Sequence, residues 1–210
     1  HLVYTQRVGG SNPSPPTKGI QKDSFFYLFF SEIYPKFHTY ISSNLSFIIM
    51  GLSFHYSGSI AKPQLLPYLI EEVEEIVKVF KWKYTIFERQ FPEGNYGKSD
   101  YNDEIYGICF TPPECETIFI SFLSNGRMSN PHSLKLWGQS STKQGQKFLY
   151  MLSVKTQFAG VAIHKIVIQL FSHLNKKYFV DFTMIDEGQY WETNDEELLK
   201  STFRKYTDLL

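Results

Sequence analysis

The chain has 210 residues, with 21 basic against 21 acidic side chains and 17% aromatic residues. That balance excludes nucleic-acid binding by bulk charge, because a phosphate-backbone binder carries a basic excess or stripe. The two cysteines, Cys109 and Cys115, form no Cys-x-x-Cys pair and fall short of the ligands a structural zinc needs. They read as free thiols of a reducing compartment, so the expected location is cytoplasmic.

Residues 1–49 are expected to lie outside any folded domain. Gly9-Gly10-Ser11-Asn12-Pro13 back-translates to a string containing GGTTCGAATCC, which resembles the T-arm of a transfer-RNA gene. The resemblance implies a reading frame that runs out of such a gene into intergenic DNA. Residues 24–49, rich in Phe, Ile, Tyr and Ser without clean periodicity, fit the AT-rich continuation. The apolar runs there are broken by Glu32, Pro35, Lys36 and Ser42. They are too short for a spanning helix, which needs ~20 apolar residues, so no membrane partner is expected. Residues 50–210 are expected to form one domain, long enough for an ordinary core. Without the leader, acidic residues lead basic ones by two.

From Met50 onward the elements follow in order. Leu52–Tyr56 alternates apolar and polar and reads as a strand. Pro63 suits a first helical turn, and Leu66, Leu69, Ile70, Val73, Ile76, Val77 and Phe80 recur at helical spacing against Glu71, Glu72, Glu74, Glu75 and Lys78. Trp82–Phe87 is a second strand, and residues 92–103 hold Gly94, Asn95 and Gly97 and read as a loop. Glu104–Phe110 and Thr117–Leu123 are strands separated by Pro112-Pro113, and Asn125-Gly126 marks a turn. Ser124–Lys147 is expected to be a loop with a short element inside. Phe148–Lys155 reads as a fifth strand, Gln157–Asn175 as a second helix, and Tyr178–Ile185 as a sixth strand. Thr193 and Glu196 make a capping-box pattern ahead of a last helix carrying Leu199, Phe203 and Tyr206.

The order β-α-β-β-β-β-α-β-α predicts an α+β fold. We expect a mostly antiparallel sheet of about six strands with two or three helices packed on one face. If the middle strands form a meander, His55, Asp103, His132 and the long loops gather at one end of the sheet.

Three functions follow from these placements. The leading expectation is a small non-catalytic module that binds another protein through Asp186, Glu187, Tyr190 and Trp191, because exposed aromatics beside acids suit a protein contact. The alternative is a small hydrolase or metal-assisted enzyme using His55, His132 and Asp103 as base, acid or ligands. A third is anion or small-ligand binding at the start of the second helix, near Lys155 and Gln157, where free backbone N–H groups favour negative charge. Thr156 as a plain N-cap explains the same residues without a ligand. No nucleophile-base spacing, cofactor fingerprint or metal cluster is present in the sequence, so no cofactor or metal is expected and the balance leans against an enzyme. His164, set among apolar residues, reads as a hydrogen-bonded core histidine. Asp181 is expected to find a partner in Lys155 or Ser153.

Overall fold

The computed structural model describes residues 52–208 of the chain. The expectations for residues 1–49 lie outside the described residues. The fold is α+β, as the element pattern predicts. Its strands, however, form two three-stranded antiparallel sheets rather than one sheet of six.

The first sheet has the order β5-β1-β6, with β1 spanning Ser53–Ile60, β5 Leu152–Lys155 and β6 Phe179–Asp186. The second has the order β2-β3-β4, with β2 at Lys83–Ile86, β3 at Tyr106–Thr111 and β4 at Ile118–Phe122. The meander therefore stops at β4. The chain leaves the second sheet there and returns to the first, where Phe54 faces Val154 and Asp186.

The cause lies in residues 124–149, expected to be mostly loop. They fold into two short helices, α2 at Pro131–Trp137 and α3 at Lys143–Leu149. Asn130 caps α2 by accepting from Ser133 N at 2.7 Å, with Pro131 in the first turn where its missing N–H costs nothing. Thr142 caps α3 by accepting from Gly145 N at 3.0 Å. At seven residues each, neither shows a readable period. The expected fifth strand from Phe148 is thus helical in its first part and begins only at Leu152.

Helix α1, Leu66–Val79, buries Leu66, Leu69, Ile70, Val73 and Val77 of the predicted stripe, whereas Phe80 falls just past its end and is exposed. Burying each such side chain contributes about 1.5–3 kcal/mol. Helix α4, Gly160–Tyr178, buries Val167, Phe171 and Leu174 in the same core cluster as β1 and β3. A single-turn helix, α5 at Tyr190–Thr193, precedes α6 at Glu196–Thr207. Asp195 caps α6, accepting from Glu197 N at 2.9 Å and Leu198 N at 3.0 Å. This corrects the Thr193 capping box: Thr193 Oγ1 instead donates to Gln189 O.

The two sheets are joined by main chain. Asn125-Gly126 turns the chain at the end of β4, with Gly126 at φ +87°. A Cβ there would lie 2.6 Å from the Tyr96 ring, so only glycine fits. The returning residues bridge both sides, Met128 to Phe122 of β4 and Arg127 to Ser59 of β1. Tyr56 adds a second tie, its hydroxyl donating to Phe119 O at 2.7 Å and accepting from Phe119 N at 3.3 Å. Among the described residues, no helix is long and apolar enough to cross a membrane.

Candidate functional site

The residues following β5 decide how α4 begins. Thr156 was the expected N-cap, but the cap position is Ala159, whose side chain accepts nothing. Thr156 is fully buried, and its hydroxyl is 2.6 Å from His164 Nδ1 and 3.4 Å from Leu52 O. Gly160, at φ +80°, turns the chain into the helix. The first N–H groups of a long helix thus stand without a side-chain cap.

His164 continues the chain of hydrogen bonds inward. Its Nε2 lies 3.0 Å from Asp186 Oδ1 and 3.2 Å from Oδ2. The ionised carboxylate only accepts, so Nε2 donates to Asp186, and Nδ1 shares a hydrogen bond with the Thr156 hydroxyl. Asp186 also accepts from Gly188 N at 2.7 Å, Tyr190 N at 2.8 Å and Trp191 N at 3.1 Å. Burial raises its pKa, but the His164 hydrogen bond and the backbone donors outweigh this and hold the carboxyl below the ordinary aspartate value. Gly188 is required beside it, since a Cβ would sit 2.9 Å from His164 Nε2. Hydroxyl, imidazole and carboxylate line up as in a nucleophilic triad, yet all three are buried and no substrate reaches Thr156. The line ties β5, β6 and α4 together.

The residues of the expected acidic and aromatic surface differ in exposure. Asp186 is 3% exposed and Tyr190 5%, both inside the fold. Glu187 is half-buried, accepting from Ser53 N at 2.9 Å, and Trp191 packs edge-on against Phe182 at 5.7 Å. Two of the four residues offered for a protein contact are therefore internal.

The histidines of the enzyme reading fall in different settings. His55 is buried in β1, with Nδ1 2.7 Å from Ser153 Oγ and Nε2 3.9 Å from Glu187 Oε1. Because β1 pairs with β5 and β6, His55 sits beside Glu187 rather than with His132 and Asp103. His132 is exposed in the first turn of α2, and Asp103 is exposed in the loop before β3. Among the described residues, no group of three His, Cys, Asp or Glu converges as metal ligands would. Burial pushes the Cys115 thiol up to about 12 and raises Cys109 as well, so neither is a ready nucleophile.

The start of α4 does open onto a cleft of about 520 Å³ between α4 and α6. Phe158, Gly160 and Val161 form one wall, and Lys200, Phe203 and Arg204 the other. Phe203 also rests edge-on against the His164 ring at 5.5 Å, so the cleft backs onto the buried line of hydrogen bonds. Gln157 lines the cleft at 8% exposure, and neither atom of its amide has a hydrogen-bond partner among the described residues. Lys155 is buried, with its ammonium 5.6 Å from the centre of the Phe158 ring, so it braces the rim. Lys200 pairs with Glu196 at 3.2 Å and Glu197 at 2.9 Å, whereas Arg204 has no ion pair among the described residues.

Sequence reading reached Lys155 and Gln157 but missed Lys200 and Arg204. Their helix was recognisable, but nothing local says that it docks across the start of α4. No protein-family model, curated protein or solved structure matches the chain.

Proposed function

We propose that the protein binds a small anionic ligand, a phosphate or a carboxylate, in the cleft between α4 and α6. The observation that carries this reading is the Gln157 amide, buried without a hydrogen-bond partner among the described residues at the uncapped start of a 19-residue helix. An unsatisfied buried amide costs about 1–3 kcal/mol, and a ligand that hydrogen-bonds it recovers that free energy. The helix start favours negative charge, and Arg204, which has no ion pair among the described residues, supplies a cation opposite. Phe158 and Phe203 give the cleft apolar walls, and its volume falls in the range of small-ligand sites, roughly 300–1,000 Å³. The protein-contact reading is weaker because Asp186 and Tyr190 are buried.

The test is titration of the full chain with phosphate, sulfate and acetate, followed by thermal melting and amide chemical shifts. At least one anion raises the melting temperature and moves the resonances of residues 157–163. Arg204→Gln weakens that binding by about tenfold, the scale of one charge-assisted hydrogen bond. Gln157→Leu weakens it as well, while the ligand-free variant melts at or above the parent temperature. A flat response to all three anions, or full affinity in both variants, overturns the reading.

A further inference from the structure

A second cavity, of about 310 Å³, opens where β1 and β6 fall out of step. The pairing register of the two strands shifts between Ser57 and Ser59. Beside the shift, Asp181 adopts φ +52°, the left-handed region that aspartate tolerates better than most residues. Asp181 was expected to pair with Lys155 or Ser153. It does not, because β5 lies on the far side of β1. It lines the cavity instead, exposed and with no hydrogen bond or ion pair among the described residues.

Arg127 and Tyr150 also line the cavity. The guanidinium carbon of Arg127 lies 3.3 Å from the centre of the Tyr150 ring. Tyr150 is itself fixed, 5% exposed with its hydroxyl accepting from Asn125 Nδ2 at 3.1 Å. Arg127 N donates to Asn125 Oδ1 at 3.1 Å, so backbone and side chain are both held. A stacked guanidinium keeps its N–H edge free for a carboxylate or phosphate. No ion pair joins Arg127 to Asp181, although both line one cavity. Opposite charges that share a cavity without pairing suit a guest that carries both signs.

We infer that this cavity binds a short zwitterion, a free amino acid whose carboxylate meets Arg127 and whose ammonium meets Asp181. Lys147 adds positive charge to the lining, and Ser57 and Ser59 add hydroxyls. At the small end of the ligand range, the volume suits a free amino acid better than a peptide. The site shares no residue with the α4–α6 cleft and stands independently of it.

Calorimetric titration of the full chain with glycine, β-alanine and 4-aminobutyrate tests this, since the three differ only in the separation of their charges. Acetate and methylammonium serve as half-ligands at matched ionic strength. One zwitterion binds at least about tenfold tighter than either half-ligand. Asp181→Asn, which keeps a residue tolerant of the left-handed region, reduces that affinity by a similar factor, and Arg127→Gln does the same with an unchanged circular dichroism spectrum. Gln157→Leu leaves it unaltered. If no zwitterion outbinds acetate, or if Asp181→Asn binds as the parent does, the inference is overturned.

Discussion

At the scale of single residues, the decisive side chains are those whose polar atoms are committed inside the fold. Asp186 organises the end of β6 by accepting three backbone N–H groups and the His164 ring. Asp186→Ala strands those donors together with a buried imidazole. It is expected to cost about 3–5 kcal/mol, the usual penalty for breaking a buried pair, read from denaturant unfolding. A loss below about 1 kcal/mol contradicts the assignment. Gln157 is the opposite case, a buried amide that no described residue satisfies, and that contrast separates the candidate site from the structural line of hydrogen bonds beside it.

At the scale of elements, α1 and α4 are joined by Glu72. It takes hydrogen bonds from Lys177 at 2.6 Å and from Tyr178, and His173 Nε2 lies 2.5 Å away. Partial burial raises the Glu72 pKa, but the three partners outweigh this and bring it to about 2. The unfolded value is about 4.3, so the folded state binds the proton less readily. The stabilisation is therefore complete above about pH 4.3 and disappears as pH falls through the folded value. Glu72→Gln is expected to lower stability near neutral pH by about 1 kcal/mol, since the cluster is partly solvated. Its difference from the parent narrows between about pH 4.5 and pH 2. Urea midpoints across that range check this, and a constant difference rules it out.

At the scale of the molecule, the two sheets share one core because short main-chain and hydroxyl ties bridge them. Tyr56, 1% exposed in β1, reaches Phe119 of β4 with both lone pair and proton. Tyr56→Phe leaves the N–H and C=O of Phe119 without the hydroxyl that pairs with both. It is expected to cost about 1–3 kcal/mol, with the fold retained. An unchanged urea midpoint would place the joining strength in the Arg127–Ser59 and Met128–Phe122 bridges alone.

The sequence by itself determined the elements that carry a strong local signal. The face of α1 was legible because five apolar residues recur at helical spacing over fourteen positions. β3 and β4 were legible because Pro112-Pro113 and Asn125-Gly126 bound them. His164 was legible as a bonded core histidine because its neighbours are apolar. Tertiary structure alone decided which strands pair. An antiparallel strand carries no mark of its partner, and two seven-residue helices between β4 and β5 were enough to send the chain to another sheet. It also decided the candidate sites. Gln157 and Arg204 come to line one cavity, and Arg127 and Asp181 another, only through packing between segments roughly 50 residues apart, and no local pattern records such a juxtaposition.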